Sequence, residues 1–334
     1  MLNPMCALNS ELIKPAACPA TAIGILGMHR SGTSSVTRAI NLLGIYLGEA
    51  AKTAGSGRDN VTGFWEHGEI CDLQARLLAR LGRAWDATMP LPEQWEQSAV
   101  VGSFREELIR VLTSDFSGHS QWAWKDPRTC LLLPLWRDVL RQLETNLICL
   151  FVVRNPLDVA TSMSRRDPVT FNKAMGVWFH YNLAALQDAV GLPMAFLSYE
   201  NFLADWENEL RRCASILQLD WPADEAGLRT AMNAFIQPEL RHNQSVTDSL
   251  SILPPPVKEL YQLLTEACTR TASRDENFDR KIARLATEFK AYAAFFESDV
   301  NTAGPSRWKR TWRRWKKSFR KRFPSAAAEP ARQK

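Results

Sequence analysis

Along the first two hundred residues, short apolar runs alternate with stretches in which apolar residues return every three or four positions. Thr21–Leu26 is one such run, rich in β-forming residues and followed by a turn. A helical pattern then begins at Ser34, with Val36, Ile40 and Leu43 at i, i+4 and i+7 and Gly44 where a helix would stop. A second strand–loop–helix unit runs from Asn146–Val153 through Arg154-Asn155-Pro156 into a helix near Leu157–Arg165. Gln121–Trp124 predicts a short strand between these units, and Pro193–Ser198 another after a long helix near Phe171–Val190. Buried strands alternating with helices predict an α/β fold with a parallel sheet covered on both faces.

From about residue 200 the pattern turns helical. Asn201–Leu217, Glu225–Phe235 and Val257–Thr271 read as amphipathic helices, with Pro254-Pro255-Pro256 as a stiff break. Over Asn277–Phe296 the apolar residues Phe278, Ile282, Leu285, Phe289, Tyr292 and Phe296 recur at three and four, a stripe expected to face a core rather than a coiled-coil partner. Residues 1–20 carry no periodicity and read as a loose lead-in. The expected organisation is then a main domain over 21–300, a polar linker at 301–306, a basic amphipathic helix at 307–323 and a disordered end at 324–334. No internal repeat is visible.

Composition narrows the classes. A chain of 334 residues that is 46% hydrophobic can build a core without staples. Its seven cysteines (Cys6, Cys18, Cys71, Cys130, Cys149, Cys213, Cys268) are scattered and never spaced C-x-x-C, so reduced, packed thiols are expected and no metal site. The start lacks a basic segment followed by an apolar run, and no stretch approaches about 20 apolar residues, so the expected location is cytoplasmic. The net charge of +5 is unevenly placed: 12 of the 41 Lys and Arg, but one of the 36 Asp and Glu, fall within 305–334, leaving a mildly acidic body. Attraction to an anionic surface therefore belongs to the tail.

The candidate chemistry starts at residues 27–34, Gly-Met-His-Arg-Ser-Gly-Thr-Ser, between a predicted strand and a predicted helix. Backbone N–H groups of such a turn, with the helix N-terminus behind them, hold a phosphate. Gly27 and Gly32 would let the backbone approach the ligand, Thr33 and Ser34 add hydroxyls, and Ser31 belongs to the same binding loop. A nucleoside-triphosphate P-loop places Lys where Thr33 stands, so a P-loop kinase or NTPase is the disfavoured alternative, and Arg30 supplies the cation from inside the loop. A second strand-end motif follows: Arg154 leaves the strand, and Ser162 lies eight residues on, about two turns into the next helix. A guanidinium and a hydroxyl so placed can grip one phosphate from two sides.

Taken together, the two loops resemble the 3′-phosphoadenosine 5′-phosphosulfate (PAPS)-dependent sulfotransferases, a P-loop-type α/β fold. Gly27–Ser34 is similar to their 5′-phosphosulfate loop in its Arg-Ser-Gly-Thr form, found in Golgi-type and bacterial members, and Arg154 with Ser162 to their 3′-phosphate pair. Ser198-Tyr199-Glu200 resembles the segment after a later core strand, and the likeness spans roughly residues 21–245. The Gly-x-x-Gly-x-x-Lys segment of cytosolic members is absent; Arg241, in Pro-Glu-Leu-Arg-His-Asn, is a candidate replacement at the 3′-phosphate.

The resemblance implies transfer of a sulfuryl group to an acceptor hydroxyl, with PAPS as co-substrate and no metal. Lys125, in Trp-Lys-Asp-Pro-Arg, resembles the Lys-Asp-Pro of tyrosylprotein sulfotransferases, whose Lys contacts the sulfuryl group; Lys125 and Arg30 would stabilise the leaving phosphosulfate, and Asp126 would partner Arg128 or Lys125. For the base, Glu66 in Gly63-Phe64-Trp65-Glu66-His67 matches the Glu of Arg-type relatives, and its aromatic neighbours would desolvate it. His67 is the rival, since cytosolic members use a His and an imidazole needs no shift to serve at neutral pH.

Residues 307–323 read RWKRTWRRWKKSFRKRF, with Trp308, Trp312, Trp315, Phe319 and Phe323 spaced 4, 3, 4 and 4. One helical face is aromatic and the others cationic, which suits an interfacial helix on anionic lipid and places the protein at the inner face of a membrane. Nucleic acid is the disfavoured competing ligand. The acceptor would then be a glycan, glycolipid or lipid-linked saccharide at that surface. A catalytically inactive, membrane-tethered nucleotide-binding protein is the non-enzymatic alternative.

Overall fold

A computed structural model describes residues 19–49, 63–236, 252–271 and 274–297. Strands β1 (Thr21–Leu26), β2 (Gln121–Trp124), β3 (Asn146–Val153) and β4 (Met194–Ser198) form a four-stranded, all-parallel sheet in the order β2-β1-β3-β4. The connecting helices are α1 (Thr33–Leu42), α2 (Gly68–Arg80), α3 (Ala99–Phe116), α4 (Thr129–Gln142), α5 (Pro156–Arg166) and α6 (Phe171–Asp188). After β4 follow α7 (Tyr199–Ala204), α8 (Trp206–Leu217), α9 (Glu225–Phe235), α10 (Pro255–Ala267) and α11 (Glu276–Glu297).

Both faces of the sheet are buried, so each strand reads as a continuous apolar run whose side chains alternate between two cores. On β3, Cys149, Phe151 and Val153 enter one core, while Ile148, Leu150 and Val152 enter the other. The first core is closed by α2 to α6 together with α10 and α11, and the second by α1, α7, α8 and α9. The α11 stripe faces inward as expected: Phe278, Ile282, Leu285, Phe289 and Phe296 are buried. Phe296 seats against Gly176 of α6, where a Cβ would overlap its ring, so a glycine in mid-helix makes room for an aromatic.

The structure adds to and corrects the expected elements. Helices α3 and α4 are additions: in α3 the buried Val101, Phe104, Leu108, Val111, Leu112, Asp115 and Phe116 recur at three and four. In α4 Thr129–Leu133 are all buried and Pro134 lies inside the helix, and further along Leu135, Trp136, Val139 and Leu140 are buried opposite Arg137, Asp138, Arg141 and Gln142. The single helix expected over Asn201–Leu217 is two, because Asp205 leaves helical geometry (φ −152°, ψ 79°) and its carboxylate caps α8 by accepting from Asn208 N. Pro255 and Pro256 are not a separate break; they form the first turn of α10, where a missing N–H costs nothing.

Candidate functional site

Helix α1 packs on one face of the sheet and α5 on the other, although β1 and β3 are hydrogen-bonded neighbours. The chain therefore leaves these two strands in opposite directions. In an open parallel sheet such a reversal opens a crevice at the carboxyl ends, and ligands bind there. The loops after β1 and β3 are the two singled out from sequence, and they meet at this point: Arg154 Nη1 donates to the Arg30 carbonyl at 2.9 Å.

The loop after β1 is held from several sides. Gly27 N donates to the buried Cys130 thiol of α4 at 3.2 Å, and Ser31 N to the Met28 carbonyl at 3.1 Å. Arg30 adopts left-handed backbone geometry (φ 68°), a conformation that costs a non-glycine residue roughly 1–2 kcal/mol. Its side chain is tied at the same time, Nε donating to Ser162 Oγ of α5 at 2.9 Å. Ser162, expected beside Arg154, is thus joined to it through Arg30. Gly32 (φ 86°) ends the loop as the N-cap of α1 and offers no side-chain cap, so the first-turn N–H groups are left without intrahelical acceptors.

Both glycines serve the protein's own packing more directly than a ligand's approach. A Cβ on Gly32 would overlap the Tyr199 ring, and one on Gly27 would lie 3.0 Å from the Val152 carbonyl. Tyr199, the first residue of α7, in turn lies under Arg154, whose guanidinium carbon is 4.7 Å from the ring centroid. Asn155 caps α5 by accepting from Leu157 N and Pro156 opens the helix, so Arg-Asn-Pro is a strand end, a cap and a first turn in succession.

Lys125 brings the end of β2 to the same edge. Its buried ammonium donates to Ser34 Oγ at 3.1 Å and to Glu66 Oε1 at 2.6 Å. Glu66 lies just before α2 and is partly exposed. The expectation that Phe64 and Trp65 set its environment gives way to a direct ion pair with Lys125. Trp65 is otherwise engaged, with the Arg38 guanidinium 4.6 Å from its ring centroid. His67 turns inward: its Nε2 lies 2.8 Å from Asp115 Oδ2 of α3, both side chains are buried, and Phe116 packs beside the ring. Asp126 partners Arg128, accepting from its backbone N at 3.0 Å and from Nη1 at 2.8 Å; burial pushes the Asp126 carboxyl up, and Arg128 opposes that shift. Arg241 lies outside the described residues, as does residues 307–323.

His29 sits inside the loop between the edges of Trp85 and Tyr181, with ring centroids at 5.2 and 5.7 Å. Burial, then the charges of Arg128, Arg166, Lys125 and Arg30, hold its imidazole well below the usual value and therefore neutral. The cations named there gather around one loop.

Three buried polar atoms in these two loops have no protein partner: His29 Nε2, Ser31 Oγ and Arg154 Nε. An unpaired buried donor costs about 1–3 kcal/mol, so such groups mark a place for a hydrogen-bonding ligand. Donors of this kind beside a helix N-terminus, with Arg30 and Lys125 near, fit an anion with several oxygens. Two residues at or behind this edge carried weaker sequence signals. Tyr199 stood in a segment singled out only as a likeness. Gln74, fully buried, is a lone polar residue among Ile70, Leu73, Leu77 and Leu78 on the inward face of α2. In comparisons with known proteins, no family model, no curated protein and no solved structure matches this chain.

Proposed function

We propose that the protein is a sulfotransferase that carries a sulfuryl group from PAPS to an acceptor hydroxyl. Arg30, Ser31, Gly32, Thr33 and Ser34 would hold the 5′-phosphosulfate, and Arg154 with Ser162 the 3′-phosphate. What carries the reading is the meeting of the two strand-end loops, Arg154 on the Arg30 carbonyl at 2.9 Å, with Ser31 Oγ and Arg154 Nε buried and unpaired beside them. One nucleotide bearing two separated phosphates would answer both donors.

In this reading Glu66 takes the proton of the acceptor hydroxyl as its oxygen bonds to sulfur. The sulfur–oxygen bond to the 5′-phosphate breaks, and the electron pair leaves on the released adenosine 3′,5′-bisphosphate. Lys125 and Arg30 offset the charge that builds on the leaving oxygen, so positioning and fixed cations supply the catalysis. Glu66 is preferred to His67 because it reaches Lys125 at the crevice, whereas His67 is committed to Asp115. Arg241 remains a candidate for the 3′-phosphate on sequence grounds. The aromatic and cationic faces of residues 307–323 support a peripheral association with anionic lipid, and with it an acceptor such as a glycolipid or lipid-linked saccharide.

Calorimetric titration tests the core of this. Adenosine 3′,5′-bisphosphate should bind at least tenfold more tightly than ATP with magnesium. Equal or tighter binding of Mg-ATP would overturn it in favour of a kinase or NTPase.

A further inference from the structure

A closed polar network lies in the apolar core directly behind Lys125. Its centre is Gln74 of α2, whose side-chain amide is completely buried. Gln74 Nε2 donates to Asp126 Oδ2 at 2.8 Å. Gln74 Oε1 accepts from Thr129 Oγ1 at 3.2 Å and from Trp136 Nε1 at 3.0 Å, and Trp124 Nε1 donates to Thr129 Oγ1 at 3.2 Å. The network thus joins three pieces of chain: α2, whose N-terminus follows Glu66; the end of β2, which carries Lys125; and the first turns of α4. The Trp124 and Trp136 rings stack with centroids 4.0 Å apart and close it from the core side.

A buried amide that uses both its donor and its acceptor has one geometry in which all partners are satisfied, and misplacing it strands several groups at once. Burial in apolar surroundings makes this arrangement costly unless it is complete. Its outcome is a fixed distance between the segment that presents Glu66 and the segment that presents Lys125. Neither residue is held there by helix or strand geometry alone: Glu66 precedes α2, and Lys125 follows β2.

We infer that Gln74 is a positioning residue, which sets the Glu66–Lys125 pair in register for the transfer reaction by locking α2 to the end of β2 through Asp126. This rests on the sulfotransferase reading for its effect on turnover, but not for its effect on the pair. Gln74 touches no group at the crevice and binds no part of the nucleotide. Its loss should therefore act on kcat and spare nucleotide affinity.

The test compares the full-length protein with Gln74→Met, which fills similar volume without polar atoms, and with Gln74→Glu, which keeps the acceptor and loses the donor to Asp126. Each variant that keeps the wild-type circular-dichroism spectrum is expected to lower kcat by roughly ten- to a hundredfold, the scale of a displaced catalytic group. Affinity for adenosine 3′,5′-bisphosphate should stay within about threefold, since no phosphate contact is removed. A variant with unchanged kcat, or with kcat and affinity lowered together, overturns the inference. A second readout is independent of activity: the Lys125 ammonium resonance in 15N-lysine-labelled protein, protected from solvent exchange by Glu66 and Ser34. Loss of that protection in the variants supports the inference even if wild-type protein transfers no sulfuryl group, an outcome that would sink the proposed function alone. Retained protection overturns it. Should Gln74→Met fail to fold, Gln74→Glu carries both readouts, and if it behaves as wild type the inference is wrong.

Discussion

At the scale of single residues, the proposed function divides binding from chemistry between Arg154 and Glu66. Arg154 reaches the Arg30 carbonyl with one nitrogen and leaves its Nε unpaired and buried, so a bound anion would complete its hydrogen bonding. Glu66 accepts from Lys125 instead. Arg154→Ala should weaken binding of adenosine 3′,5′-bisphosphate by at least about a hundredfold, since a buried charge-assisted bidentate contact is lost. Glu66→Ala should leave that affinity nearly unchanged and reduce turnover by about a hundredfold or more, the usual worth of a general base. Calorimetry and a labelled-sulfate transfer assay read the two effects separately, and full turnover in Glu66→Ala would remove it as the base. Both residues were legible in the sequence because each follows a recognisable element. Their partners were not, since Lys125 and Glu66 are 59 positions apart along the chain.

At the scale of elements, the unit β1–loop–α1 depends on Tyr199 from α7. Gly32 was singled out for spacing, but its environment lies 167 residues away in sequence, and only packing reveals that a side chain there would displace Tyr199 from beneath Arg154. Gly32→Ala should therefore destabilise the protein by about 2 kcal/mol or more, combining left-handed strain with overlap. It should also weaken bisphosphate binding, because Tyr199 supports Arg154. Gly44→Ala is the matched control: its φ is 94°, but nothing lies within 4 Å of the added carbon, so only the conformational cost of about 1 kcal/mol applies and binding is spared. Chemical denaturation and calorimetry distinguish them; equal losses in the two variants would contradict the packing argument. Strands were readable as apolar runs with turns beside them. Helices α3 and α4, absent from the elements expected from sequence, carry a readable period too: each sets a buried apolar stripe against exposed polar residues such as Glu106 and Arg110, or Arg137 and Arg141.

For the whole molecule, the placement of α1 and α5 on opposite faces of the sheet opens the crevice between β1 and β3, which gathers side chains from the segments that follow β1, β2, β3 and β4. None of the helices in the described residues is long and apolar enough to cross a membrane. The tail at 307–323 is read from its sequence alone, where aromatic spacing of three and four puts five rings on one side of a helix. Vesicle sedimentation should pull down the full chain with anionic lipid far more than with neutral lipid, and deletion of residues 305–334 should abolish the difference. Binding that ignores lipid charge, or survives the deletion, would refute a lipid-docking tail.

The amino-acid order alone determined which segments become strands, where the glycine-bearing loop after β1 lies, and that Arg154 leaves a strand end. These are local matters, set by periodicity, glycine spacing and backbone propensity over a few residues. Only the tertiary structure decided that Arg30 and Arg154 share one edge, that Lys125 pairs with Glu66, that His67 turns to Asp115, and that Gln74 ties α2 to β2. Such contacts join residues tens to more than a hundred positions apart, and they exist because a parallel sheet buried on both faces forces distant loops onto the same rim.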